Sequence, residues 1–362
     1  MTPTLKTRAR TRRPAPLLAA AALLPGALLL AQQSQAAPEA EDAAAPKAAF
    51  TNPVVTENGA DPSIVQHQGT YYHLGTTWKS HLEIRKATTL GGLKSAKPTT
   101  VYTEKEPSRC CNMWAPELHQ LDGPNGKRWY ITYSAGVAAN IDHQQVHVLE
   151  SAGTDPSGPY HYAGKVDPYG DNRWMIDSTY LTRGGALFML YSFWEGGTQN
   201  LYIAQMKNPW TPAGAGRRIA TPTHAWEKSG GSVNEGPYVL KHDGRIFLTF
   251  SASHCNTPDY KLGLMELTGK NPLDAGSWKK FEKPVFERND KAGVYGPGHN
   301  SFFTSPDGKE TWIAYHANAK ATDGCSGTRT TRAQKVSWKA DGTPDFGAPV
   351  GAGVSLPGPS GE

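Results

Sequence analysis

The chain has 362 residues, with 37 Lys and Arg against 32 Asp and Glu and a formal charge of +5. The whole excess sits in residues 1–36, which carry Lys6, Arg8, Arg10, Arg12 and Arg13 and no acid. The remainder is formally neutral, which leaves a nucleic acid or an anionic membrane without electrostatic support as a partner, and its 38 Gly and 28 Pro argue against long helices.

Taken in chain order, residues 1–36 have the build of a secretory signal. A charged start leads into an Ala/Leu run over 17–31, and Ser34-Gln35-Ala36 fits a small-x-small cleavage site. The apolar run is short for a membrane span. Ordinary secretion to the extracellular medium is expected, with Arg12-Arg13 keeping the twin-arginine route as the alternative. Residues 37–49 are rich in Ala, Glu and Pro and predict a flexible lead-in.

Residues 50–352 are a repeat. Copies begin at Asp61-Pro-Ser-Ile-Val, Glu117-Leu-His-Gln-Leu, Asp177-Ser-Thr-Tyr-Leu, Glu235-Gly-Pro-Tyr-Val and His299-Asn-Ser-Phe-Phe, about 56–64 residues apart. Each copy passes a Gly-containing turn into a second strand: YYHLGT, WYITYS, LFMLYS, IFLTFS and WIAYHA. A third strand follows, and apolar residues alternate within it, as at Leu82 and Ile84 or Leu201 and Ile203. Short strands at this period predict an all-β fold, a five-bladed β-propeller with three or four strands per blade. The Pro/Gly/Ser-rich residues 353–362 predict a flexible tail.

Four cysteines in a secreted chain point to bridges. Cys255 follows the second strand of blade four and Cys325 that of blade five. The register puts both at one end of adjacent blades and predicts a Cys255–Cys325 bridge. Cys110 and Cys111 are adjacent; a vicinal bridge, a free pair and a cross-bridge are all open. No CxxC spacing occurs, so a structural zinc site is not expected.

In a propeller, one face collects the starts of the first strands and the loops leaving the second strands. Asp61, Glu117, Asp177, Glu235 and His299 are starts. Trp78, Trp194 and His254 lie just after second strands, and Trp114 and Tyr295 just before first strands. A lone Asp at a strand start is ordinarily a turn residue, and a lone Trp is ordinarily core. Acids in register beneath aromatic walls instead suit a sugar: rings stack on its C–H faces, and carboxylates bond hydroxyls and move protons. Cleavage with inversion needs a base for water and an acid for the leaving oxygen, and a third carboxylate beside the acid would raise its pKa. Glu117 is the weakest of the set and has a structural reading near the axis.

At these residues the chain resembles glycoside hydrolase family 43. The matching stretches are Gly59-Ala-Asp61-Pro-Ser-Ile, Trp114-Ala-Pro-Glu117, Ile176-Asp177-Ser178, Asn234-Glu235-Gly-Pro-Tyr238 and Tyr295-Gly-Pro-Gly-His299-Asn-Ser, ordered across residues 50–350. The resemblance implies Asp61 as general base, Glu235 as general acid and Asp177 as the acid that raises and orients the donor. It implies a role for His299 at the axis, where many members hold calcium or a similar ion; the chemistry itself requires no cofactor. Arg329 matches, more loosely, an arginine that grips the terminal sugar, with Arg332 competing. The two working carboxyl groups of an inverting enzyme stand roughly 6.5–9.5 Å apart.

The pattern looks most like the exo-acting α-L-arabinofuranosidases, which implies an arabinose-containing polysaccharide or oligosaccharide as substrate. Endo-arabinanase and β-xylosidase action share the same stretches, and a non-catalytic sugar-binding propeller is the remaining alternative. The Asn-Asp-Pro and Glu-Cys hallmarks of fructan-cleaving propellers are missing. A monomer is expected.

Overall fold

The computed structural model of the protein describes residues 48–362, so the signal over 1–36 and nearly all of the lead-in lie outside the described residues. No α-helix occurs among the described residues. Five antiparallel sheets follow one another along the chain. Blade one comprises Ser63–His67, Thr70–Leu74, His81–Ala87 and Thr99–Thr103. Blade two comprises Cys111–Gly123, Gly126–Val137, Asn140–Ser151 and Tyr160–Val166. Blade three runs through Met175–Arg183, Ala186–Glu195 and Thr198–Asn208, edged by Thr211–Pro212 and Arg217–Ala220. Blade four is Asn234–His242, Arg245–Ala252, Lys261–Leu267 and Trp278–Lys280; blade five is Tyr295–Thr304, Thr311–Asn318 and Thr330–Lys335. The first strands touch in ring order, which makes the five-bladed propeller.

The blades form because each sheet is apolar on both faces and must be covered on both. Five hydrophobic clusters do this, one per seam. Leu190, Leu201 and Ile203 of blade three meet Leu248, Phe250 and Met265 of blade four. Equivalent clusters fill the seams between blades one and two, two and three, five and one, and four and five. Burial of this kind contributes roughly 25 cal/mol per Å² of apolar surface. The inner strands instead carry buried Ser and Thr. Ser63 Oγ accepts from Leu118 N–H at 3.2 Å and Ser301 Oγ from Ile64 N–H at 3.1 Å, which ties neighbouring blades at the axis.

The tail departs from expectation. Ser355–Pro357 pairs with Ala49–Thr51, and Gly358 N–H donates to Ala48 O at 2.8 Å. Residues 353–362 therefore include a three-residue strand tied to Ala49–Thr51, because the two edges satisfy each other's backbone groups. Residues 48 and 49 leave the lead-in for the same reason. Next to this pair, Val54 and Val55 bond Thr331, adding the start of the chain to the outer edge of blade five, which has only three strands of its own.

Candidate active site

In or just before the first strand of every blade, one repeat position has left-handed backbone: Asp61 (φ 53°), Ala115 (46°), Asp177 (54°), Gly236 (52°) and His299 (41°). These five positions define the true register of the repeat. At all five the preceding blade supplies a side-chain acceptor to the turned N–H: His316 Nδ1 to Asp61, Thr76 Oγ1 to Ala115, Ser134 Oγ to Asp177, Asp177 Oδ2 to Gly236 and Ser251 Oγ to His299. Asp61, Asp177 and His299 are thus equivalent, but the two glutamates are not. Glu235 stands one residue before its turn, at the place Trp114 fills in blade two, and so reaches the rim. Glu117 stands two residues past Ala115, inside the axis, where His119 Nε2 meets its carboxylate at 2.7 Å. The expected alignment of four acids was shifted by these bulges, which a strand pattern does not reveal.

Asp61, Asp177, Glu235 and His299 line one cavity of about 530 Å³, together with Trp78, Trp114, His254, Arg329 and the Cys255–Cys325 bridge. Asp61 is the most heavily supported. Thr76 donates to Oδ2 at 2.6 Å, Arg329 Nη1 donates to Oδ1 at 3.1 Å, and His299 Nδ1 lies 3.5 Å from Oδ1. Burial works to raise its pKa, but Arg329 and the two histidines outweigh burial and hold it well below the usual carboxylate range. His316 accepts the Asp61 N–H through Nδ1. That requires an unprotonated nitrogen, in keeping with burial and the Arg329 charge pushing its pKa down to about 4.

Asp177 has the opposite fate. Burial raises its pKa strongly; His299, at 3.8 Å, opposes the rise, while the charges of Glu235 and Asp61 add to it. The net effect raises its pKa to about 8. Glu235 accepts from Gln199 Nε2 at 2.7 Å and from Tyr260 O–H at 2.8 Å, so both oxygens are fixed in direction. For His299, burial disfavours charge, but Asp177 and Asp61 prevail and its pKa is raised.

An aromatic wall stands in the cavity of Asp61. Trp78 and Trp114 meet edge to face with centroids 5.6 Å apart, and the Arg329 guanidinium lies 5.6 Å from the Trp78 ring centroid. Arg329, not Arg332, is therefore the arginine of the site. Arg332 is buried away from it and donates to Val350 O. Trp194 lines an adjoining cavity and does not reach the acids. Tyr295 is absent from both walls. It lies four residues before His299, two bulges intervene, and its ring faces Arg288 instead. The residues missed from sequence are Gln199, Tyr260, His316, Thr76, Trp174 and Ile141. His316 lies inside the second strand of blade five, and Thr76 in the loop after the second strand of blade one.

The Cys255–Cys325 bridge is present as expected, and Cys110–Cys111 form the vicinal bridge. The axial ion finds a poor fit. Calcium takes 6–8 oxygen ligands, whereas His299 offers nitrogen and its Nδ1 faces the carboxylates of Asp61 at 3.5 Å and Asp177 at 3.8 Å. Among the described residues the tight group of potential ligands is His254, Cys255 and Cys325, whose sulfurs are joined to each other.

Comparison with known proteins places this geometry. The family model described as Glycosyl hydrolases family 43 matches residues 50–344. An "Extracellular exo-alpha-(1->5)-L-arabinofuranosidase" of Streptomyces avermitilis is 38% identical over 325 residues, covering 86% of this chain and 66% of that protein. The chain thus spans just under two thirds of that relative. A protein of the same name from Streptomyces chartreusis is 36% identical over 78% of this chain and 86% of its own. The crystal structure of an α-L-arabinofuranosidase from Lactobacillus brevis is 32% identical, with a TM-score of 0.77 over 84% of this chain and 98% of that one.

Proposed function

The chain belongs to glycosyl hydrolases family 43, and from that membership we propose that it is an extracellular α-L-arabinofuranosidase that removes terminal arabinofuranose with inversion. Two relatives named as extracellular exo-arabinofuranosidases support the substrate and the compartment. Two disulfides suit an oxidising medium. The names of those relatives also support exo action, removal of a terminal sugar.

Asp61 is the base. Its oxygens are held ionised by Arg329 and Thr76, and it draws a proton from water as the water attacks the anomeric carbon. Glu235 is the acid and gives its proton to the leaving oxygen. Asp177 supports the donor: burial and the like charge of Glu235 raise its pKa to about 8, so it stays protonated where a free carboxyl would have lost its proton. Arg329 neutralises Asp61 and stands at the sugar wall. The carrying observation is the divergence of two buried carboxyls in one cavity, Asp61 held low and Asp177 held high. No step is routed through a metal.

The test is hydrolysis of p-nitrophenyl α-L-arabinofuranoside, with the β-D-xyloside as control. Wild type should cleave the arabinoside, while Glu235→Ala and Asp61→Asn should each lose about 10³-fold or more in kcat, the loss of a principal catalytic group. Linear arabinan should yield arabinose alone. Release of oligosaccharides would overturn exo action, and full activity in Asp61→Asn would overturn the mechanism.

A further inference from the structure

Tyr260 is 1% exposed and lines neither the cavity of the acids nor the adjoining one, so no sugar reaches it. Yet it touches both working ends of the site. Its O–H donates to Glu235 Oε1 at 2.8 Å. Its ring lies along the His316 ring, with centroids 5.6 Å apart and planes 7° from parallel. His316 in turn accepts the Asp61 N–H through Nδ1 at 3.1 Å. One buried side chain therefore stands between the group that protonates the leaving oxygen and the histidine that seats the group activating water.

We propose that Tyr260 is a positioning residue for the donor: its hydroxyl aims the Glu235 carboxyl at the leaving oxygen, from a ring seated against the histidine that holds the base. This rests on the reading of Glu235 as the acid. Proton transfer in the transition state demands a donor in line with its acceptor. Gln199 holds Oε2 of Glu235 from blade three while Tyr260 holds Oε1 from blade four. The carboxyl thus cannot turn about its last bond without losing Tyr260 or Gln199.

The fold makes a niche for this ring. Tyr260 leads directly into the third strand of blade four, Lys261–Leu267. Its N–H donates to Thr257 O at 3.4 Å, and Gly296 N–H of blade five donates to Pro258 O at 3.0 Å, which ties the loop to the next blade. Gly298 pairs with His316 across the first hairpin of blade five. A Cβ at 298 would lie 2.3 Å from Tyr260 Cε1 and 2.5 Å from Cδ1, so only glycine leaves room there for the ring. The second glycine of Tyr295-Gly-Pro-Gly-His299 thus answers to a tyrosine on another blade. The phenol also stays a donor. Burial first, and then the charge of Glu235, push its pKa well up against an opposing hydrogen bond with Ser251. It keeps its proton while Glu235 gives one away, and the carboxylate left behind accepts a charge-assisted hydrogen bond.

The experiment compares two substrates that differ in their need for an acid. Methyl α-L-arabinofuranoside loses its methanol only with a proton supplied, whereas the 2,5-dinitrophenyl glycoside loses dinitrophenolate without one. Tyr260→Phe keeps the ring and removes the hydroxyl. It should lower kcat on the methyl glycoside about tenfold, the scale of one hydrogen bond to a charged group, and on the dinitrophenyl glycoside less than about twofold. KM should hold on both, since no sugar touches Tyr260. Added to Glu235→Ala, Tyr260→Phe should cost nothing more on the methyl glycoside, because it acts through that carboxyl. Equal losses on the two substrates, or a further loss in the double variant, overturn the proposal. Glu235→Ala by itself tests the reading beneath: equal losses there mean that Glu235 is not the acid, whereas a split there without one in Tyr260→Phe overturns the role of Tyr260 alone.

Discussion

Asp61 and Asp177 occupy equivalent places in their blades and share a left-handed backbone, yet their proton affinities are driven apart by what lies beside each. Asp61 meets a guanidinium and a hydroxyl donor; Asp177 meets another carboxylate and one backbone N–H. Two consequences follow for Asp177→Asn. Its removal takes away the carboxyl whose pKa is raised to about 8, so the alkaline limb of the pH–rate profile should move to lower pH; an unmoved limb would leave Asp177 a positioning role only. The stability effect has a definite sign. A carboxyl with a raised folded pKa binds more protons folded than unfolded, so wild-type stability falls as pH rises between the ordinary carboxylate value and that raised value. The Asn variant lacks this fall. It should melt higher than wild type at about pH 7, by a margin that widens from about pH 5. A margin that stays constant with pH would refute the assignment.

The strands and loops show how such residues are brought together. Left-handed turns bring Asp61, Asp177 and His299 into the pocket, and bulges in the first strands of blades two and four offset Glu117 and Glu235 from them. The loops after the second strands of blades four and five are clamped by Cys255–Cys325, and Arg329 follows on the second of these loops. Its Nε donates to Ser326 O at 3.2 Å and its Nη2 to Cys325 O at 3.4 Å. The bridge thus acts on Asp61 through Arg329. Replacing both cysteines by serine should cost about 2–4 kcal/mol of stability. It should also loosen the guanidinium, so that the acid limb of the pH–rate profile rises toward the ordinary carboxylate value while turnover at the optimum falls. Lost stability with an unmoved acid limb would show that Arg329 holds its place without the bridge.

At the scale of the whole molecule, the propeller is a ring that has to be closed. Blade five is narrow, and the start of the chain completes it: Asn52 Nδ2 donates to Ala333 O at 3.0 Å and its Oδ1 accepts from Ala333 N–H at 2.9 Å, with the side chain buried. Asn52→Ala leaves a buried donor and a buried acceptor without partners, at about 1–3 kcal/mol each. The variant should unfold at lower temperature while keeping its wild-type pH–rate profile, since the seal lies on the outer edge and the acids on the inner one. A shifted profile would mean that closure of the ring also sets the pocket.

The fold was legible because it is written in repetition. Apolar strands at a steady period allow one architecture, and Cys255 and Cys325 fall at one end of it by register alone. Asp61, Asp177 and Glu235 were legible as a set because their stretches recur in order. The sequence could not say which acids are equivalent, since a bulge moves a side chain to another face without altering the pattern of residue types. It gave no sign that Tyr295 turns away, that Ser355–Pro357 pairs with Ala49–Thr51, or that Gln199 and Tyr260 hold Glu235. Those contacts join residues far apart in the chain, and only the closed ring sets their distances. The same ring decides where charges meet, and therefore which of two like carboxyls keeps its proton.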